Sequence, residues 1–300
     1  MNALVRSRHW LTLPSPFETE TGTLYLLDAP DTNLGRVRAE LLDERYPRPF
    51  VVDDGELRYL YFNVRLMQSA MRLATPDTLE LRYTQMMAAF LLFCPAPARI
   101  ALIGLGGGSL LKFCHRQMPA AQFTAIEIDA NVIALGELFF LPPPDDRLRI
   151  VHDDGARWLR EGEEDLDVLL VDAFDPHGFA PELANREFLE CAAGRLGERG
   201  VLVVNLAGEA ERYAGLVADA LVVFDGQTIV VPVPEDGNHV LFAFKARHFE
   251  PRWRWLHNLA RELRARHGLD FPDLAQRLER ASRQSLALDM ATTRGPRRRR

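Results

Sequence analysis

The stretch RIALIGLGGGSLLKF, residues 99–113, decides the fold. RIALI is a short apolar run of strand type, GLGGGS is a glycine loop, and LLKF opens a helix. Three more strand-like runs follow, each tipped with acids. AQFTAIEIDANV (121–132) ends in Glu127 and Asp129. RLRIVHDDGARWL (147–159) carries Asp153 and Asp154, and LDVLLVDAFDPHG (166–178) carries Asp172 and Asp175. Strands alternating with helices in this way specify a mostly parallel α/β sheet. Ligands bind such sheets beyond the carboxyl ends of the strands. Here that edge is rich in carboxylates.

The charge selects between two readings of the loop. Gly104, Gly106 and Gly108 permit close approach of the backbone to a ligand and to the following helix. A dinucleotide would put its pyrophosphate at that helix N-terminus, beside several carboxylates and with no basic residue between 100 and 111. A nucleoside sulfonium carries positive charge and no phosphate, so S-adenosylmethionine or its decarboxylated form suits the edge better. Glu127 stands about 20 residues past the glycines, where an acid accepts hydrogen bonds from ribose hydroxyls.

The chain has 300 residues, 47% hydrophobic, with a net charge of −6. That length suits one large domain, or one with a small companion. The acidic balance argues against a general nucleic-acid binder. Cys94, Cys114 and Cys191 are widely spaced and form no CxxC pair, which argues against a zinc site or a disulfide framework and fits a reducing cytosol. No His, Asp and Glu spacing suggests a metal. With no run of 18 apolar residues and no signal-peptide core at MNALVRSRHW, the expected location is cytoplasmic, away from membranes.

Outside the core pattern, three regions are expected. Residues 1–75 read as a small antiparallel β region, with strand-like segments at 21–30, 48–62 and 64–71 and a hairpin turn at Asp54-Gly55. Residues 76–285 read as the catalytic domain. It opens with a helix over 76–93 capped by Asp77 or Thr78, has a fifth strand at 198–208, and has a hairpin at 226–245. Residues 252–283 read as helical, and 286–300 as a disordered basic tail ending in GPRRRR. The fold class is thus α/β, a class I methyltransferase-like, Rossmann-type seven-stranded sheet with an N-terminal β region.

These segments together resemble the spermidine synthases, or polyamine aminopropyltransferases. DAFDP (172–176) resembles that family's Asp-x-x-Asp-Pro motif, HDDG (152–155) its acidic segment after the third strand, IEID (126–129) its Glu-x-Asp, and YTQM (83–86) its Tyr-His-Glu-Met. The resemblance implies decarboxylated S-adenosylmethionine (or S-adenosylmethionine) as co-substrate, with no tightly bound cofactor, and a small amine as acceptor. It implies that Glu127 binds ribose, that Asp154 with the Gly155 backbone holds adenine, and that Asp172 accepts a proton from the amine. Asp175 would bind the amine, with Gln68 and Tyr83 positioning substrates. A possible homodimer is the assembly kept in view.

Three positions depart from the family pattern. Gly107 stands where the family has an aspartate for the aminopropyl ammonium, Thr84 and Gln85 replace its His and Glu, and PVPEDG (232–237) lacks its tyrosine. The alternatives are a methyltransferase using S-adenosylmethionine on the same site, and a non-catalytic protein binding an adenosine thioether or a polyamine. The residues themselves allow plainer roles. Asp172 and Asp175 ahead of Pro176 also suit a turn, and Asp153 is the residue expected to cap the helix near Gly155.

Overall fold

The structure is a computed structural model. It describes residues 10–175, 178–208, 210–246 and 248–293. The N-terminal part is a five-stranded antiparallel meander, β1 (Leu11–Pro14), β2 (Thr23–Leu26), β3 (Phe50–Asp53), β4 (Leu57–Asn63) and β5 (Leu66–Arg72), in sequential order. Asp54 and Gly55 turn the chain between β3 and β4. The Asp54 carboxylate accepts from the Glu56 and Leu57 amides at 2.8 and 2.7 Å, which closes the hairpin. A helix α1 (Leu34–Leu42), not expected from the sequence, crosses this sheet. Asn33 caps it by accepting from the Arg36 amide, and Val37 and Leu41 bury its inner face.

The helix expected over 76–93 is shorter and starts later. It runs as α2 (Arg82–Met87) and continues as a 3-10 turn over Ala88–Leu92. Neither Asp77 nor Thr78 caps it. The Thr78 hydroxyl instead donates to the Thr75 carbonyl at 2.7 Å, closing a separate turn. The Tyr83 amide is met by Asp236, 153 residues away, whose Oδ2 accepts it at 2.6 Å. The residues of this stretch from Tyr83 to Leu92 are almost all buried, so packing sets the helix rather than a local cap.

The central sheet is built from β6 (Arg99–Ile103), β7 (Gln122–Glu127), β8 (Leu148–His152) and β9 (Leu166–Val171). A two-residue ladder, β10 (Phe174–Asp175) with β11 (Gly178–Phe179), stands apart from it. β12 (Leu196–Ala207), β13 (Thr228–Val233) and β14 (Asn238–Phe244) complete the sheet. The order is β13-β14-β12-β9-β6-β7-β8, with β6 to β9 and β12 parallel and β14 antiparallel to both its neighbours. The order reverses between β6 and β9. That reversal opens a crevice at the carboxyl edge, the place where such sheets take ligands.

Helices α3 (Ser109–Gln117), α4 (Ala130–Leu135), α5 (Gly155–Glu161), α6 (Arg186–Arg195) and α7 (Ala210–Val223) cover the sheet between strands. Both faces of β6 and β9 are apolar and buried: Leu102 and Leu170 enter one core, Ala101 and Leu169 the other. The segment 252–283 is two helices, α8 (Trp253–His267) and α9 (Phe271–Thr293), because Gly268 closes α8 at φ +77°. α9 runs past the expected boundary at 285, since after Pro272 in its first turn no Gly or Pro interrupts the chain before Gly295. The remainder of the expected basic tail, 294–300, lies outside the described residues. No described helix is long and apolar enough to cross a membrane.

Candidate active site

The glycine loop follows β6 directly. Gly104 has φ +90°, and a Cβ there would sit 2.2 Å from the Asp172 carbonyl oxygen. Only glycine lets the loop after β6 lie against the end of β9, which brings Asp172 beside the loop. A second strand closes the loop from above. Gly106 lies under β5, near the Gln68 carbonyl and Ser69 Cβ, and Ser69 Oγ is 3.5 Å from Ser109 Oγ. The N-terminal sheet thus supplies the roof of the site.

Under that roof is a cavity of about 320 Å³. Gln68, Gly104, Gly106, Glu127, Asp154, Gly155 and Asp172 all line it, alongside the apolar Phe62, Ile103, Ile126 and Val132. A narrow extension passes Ser69, Tyr83 and Ser109. Gly108 does not line the cavity. It begins α3 at φ +68° beneath the Leu141 side chain. The backbone of Asp175 pairs with Gly178 in the β10–β11 ladder. The Asp175 side chain, and Pro176 and His177, lie outside the described residues.

Glu127 is 8% exposed. Its Oε2 accepts from the Leu105 amide at 2.8 Å and its Oε1 from the Asp129 amide at 2.9 Å. Burial raises its pKa above the ordinary glutamate value, against the opposing pull of those amides. A carboxylate has about four acceptor sites, so Glu127 has acceptor capacity left for a ligand hydroxyl. After β8 the structure moves the expected cap by one residue, while Asp154 still lines the cavity. Asp154, not Asp153, caps α5, accepting from the Arg157 amide at 2.7 Å. Asp153 instead accepts from the Asp154 amide at 2.7 Å and pairs with the Arg157 guanidinium. The cap falls to Asp154 because the helix begins at Gly155 itself, which makes Asp154 the residue before the first turn.

Asp172 lines the same cavity. Its Oδ1 accepts from Asn205 Nδ2 at 2.8 Å and its Oδ2 from the Tyr83 hydroxyl at 3.3 Å. Burial is the larger effect and pushes its pKa up to about 6, while both hydrogen bonds pull the other way. Tyr83 is held well above the ordinary tyrosine value by burial, and then by Asp172 and Asp236, so its hydroxyl stays a donor. The Thr84 hydroxyl and the Gln85 amide are taken up locally, donating to the Leu81 and Leu79 carbonyls at 2.6 and 2.7 Å.

Two residues escaped the sequence reading. Asn205, at the end of β12, holds Asp172, and Asn238, at the start of β14, holds Asn205 through Nδ2···Oδ1 at 2.7 Å. The available signal was a polar residue inside the run VLVVNLA (201–207), where a buried amide needs a partner.

A sheet of this order, with a glycine loop at its switch point and acids beyond the neighbouring strands, defines a class I methyltransferase-like fold. A family model described as the spermine/spermidine synthase domain matches residues 80–213. A polyamine aminopropyltransferase of Chromobacterium violaceum is 34% identical over 243 residues, covering 81% of this chain and 93% of that protein. One from Neisseria meningitidis serogroup A is 32% identical over 228 residues, covering 75% and 87%. A probable spermidine synthase of Corynebacterium glutamicum shares the fold at a TM-score of 0.61 and 21% identity, over 72% of this chain and 84% of that one. The chain belongs to the spermine/spermidine synthase family.

Proposed function

We propose that the protein transfers an aminopropyl group from decarboxylated S-adenosylmethionine to a small amine, in polyamine biosynthesis. Family membership supports the reaction class. The observation that carries the reading on this chain is that Glu127 and Asp172 line one and the same cavity. The first suits a ribose, the second a nucleophile's proton. The amine nitrogen attacks the methylene next to the sulfonium, the carbon–sulfur bond breaks, and methylthioadenosine leaves with the electron pair. The nitrogen's surplus proton passes to Asp172. The leaving group is good, so alignment and exclusion of water do most of the catalysis.

An alkylammonium titrates near ~10 and must be neutral to attack. An aspartate raised to about 6 is a stronger base than an ordinary one. Both Asp172 oxygens retain a lone pair beyond the Asn205 and Tyr83 bonds. Glu127 binding ribose, Asp154 with Gly155 facing the base, and Gln68 and Tyr83 placing the amine complete the assignment, with Asp175 on the amine side. The N-terminal β region serves the catalytic domain, assigned to residues 76–285, and the chain acts as a soluble protein.

A second reading, transfer of a methyl group from S-adenosylmethionine, is favoured by Gly107. The wall there is the Ser69 hydroxyl and the Phe139 ring, both neutral. Mass spectrometry of products from each donor with a panel of amines decides between them. A gain of an aminopropyl group supports the proposal; a gain of a methyl group, or no product, overturns it. Given turnover, Asp172→Asn should lower the rate by about 10²- to 10⁴-fold, the usual span for a proton-transfer group, with nucleoside affinity unchanged. Wild-type rates in that variant would remove Asp172 from the chemistry.

A further inference from the structure

A carboxamide presents a donor at one end and an acceptor at the other, and the two ends have nearly the same shape. Which end Asn205 shows to Asp172 decides which form of that acid it supports. An NH₂ group stabilises the carboxylate; a carbonyl oxygen stabilises the protonated acid. Asn205 is 1% exposed, so water does not settle the choice. Asn238 does. Its Nδ2 donates to Asn205 Oδ1 at 2.7 Å, leaving Asn205 Nδ2 to donate to Asp172 Oδ1 at 2.8 Å. We propose that Asn205 and Asn238 are positioning residues, with Asn238 locking the Asn205 amide so that Asp172 meets the amine as an acceptor and not as an acid.

The lock belongs to one hairpin. Asn238 begins β14, in register with Ala207 of β12 and Val233 of β13. Two residues earlier, Asp236 accepts from the Tyr83 amide at 2.6 Å and so fixes the start of α2, which carries the second donor to Asp172. Both donors of Asp172 are thus anchored from the turn between β13 and β14. The other ionisable groups around the acid do not perform this task. Among the described residues, Tyr83 on α2 is the ionisable group hydrogen-bonded to it, and Asp236 faces Tyr83. Glu127 after β7, Asp154 before α5 and Glu182 line the same cavity without a hydrogen bond to Asp172. Burial pushes Asp172 up to about 6, and the locked amide opposes that rise. The role assigned here rests on Asp172 being the proton acceptor.

The test reads Asp172 directly. In the full chain with ¹³C-labelled aspartate carboxyls, Asp172→Asn assigns the resonance and a pH titration gives its midpoint. Asn238→Leu, similar in volume, frees Asn205 to turn. The midpoint should rise by about one unit, a tenfold change in proton affinity, and the acid limb of turnover should move with it while the donor's apparent KM stays put. A folded variant with an unmoved midpoint overturns the lock. In the wild-type chain the Asn205 side-chain NH₂ resonance should shift with the same midpoint as Asp172, and a flat response there also overturns it, whether or not the variant folds. A shifted midpoint in a chain with no turnover supports the lock and counts against the transferase reading instead.

Discussion

At the scale of single residues, Glu127 and the glycine loop make different demands. Glu127 has both oxygens fixed by backbone amides before any ligand arrives, so it offers a preorganised acceptor. Replacing it with alanine removes a charge-assisted contact of ~1.5–3 kcal/mol. Methylthioadenosine affinity should then fall by roughly 10- to 100-fold by calorimetry. Unchanged affinity would place the nucleoside elsewhere. Gly107 makes the opposite demand. From the sequence it invites an aspartate to restore the family's carboxylate, but the space is taken. A Cβ there would come within 2.7 Å of Ser69 Oγ and 2.9 Å of the Phe139 ring. Gly107→Asp alone should overpack the loop and cost about 1–3 kcal/mol of stability, read as a lower urea midpoint at unchanged slope, with no gain in donor affinity. A stable variant that binds the decarboxylated donor more tightly would show that Ser69 and Phe139 yield.

At the scale of elements, the core was legible because its signals are local. Apolar runs between glycines and acids located β6 to β9 within their segments, and Gly104 and Asp172 with them. What was not legible depends on partners far away in sequence. The start of α2 is set by Asp236, the role of Asn205 by Asn238, and neither spacing carries a pattern. The helical turn over Gly136–Phe139 is a third such case. Its last carbonyls are held by cations from other elements: Phe139 O by Lys112 of α3 at 2.8 Å, and Leu138 O by Arg58 of β4. Positive groups suit a helix C-terminus, but Lys112 is only 2% exposed and, among the described residues, bonds to Met71 Sδ and the Phe139 carbonyl and to no carboxylate. Burial lowers its pKa to about 8. The folded state therefore loses this proton near 8 and the unfolded state near 10.5. Between those values the unfolded chain binds more protons, so stability rises with pH through that window and is lost again as pH falls through 8. The full effect is on the order of 3 kcal/mol. Lys112→Met keeps the stem and removes the charge. It should flatten the rise between pH 8 and 10.5 in denaturation curves compared with wild type. Parallel curves for the two proteins would mean that Lys112 is not buried as a charge.

At the scale of the whole molecule, the site is complete only when the N-terminal sheet sits on the central one. Gln68 and Ser69 come from β5, Tyr83 from α2, and the rest from the switch point of the large sheet. Arg58 is a principal tie between the two sheets. Its guanidinium pairs with Asp53 at 2.5 Å, both side chains being 11% exposed, donates to the Leu138 carbonyl, and lies between the Tyr25 and Phe140 rings at 5.6 and 5.4 Å. The segment it grips, Leu138 to Leu141, is the one whose Phe139 and Leu141 side chains press on Gly107 and Gly108. One side chain therefore couples the docking of the small sheet to the shape of the glycine loop. Arg58→Met keeps much of the stem but leaves the Asp53 carboxylate without its partner in a largely dry site, a loss of about 3–5 kcal/mol for a buried pair. The cost should fall unevenly. Hydrogen exchange should quicken across β3 to β5 and in the loop 104–108, while β9 and β12, anchored in the two large cores, keep their protection. Methylthioadenosine affinity should drop with the loop, although Arg58 does not line the cavity. Uniform acceleration across both sheets would mean that they unfold as one unit, and that Arg58 contributes to global stability without tuning the loop.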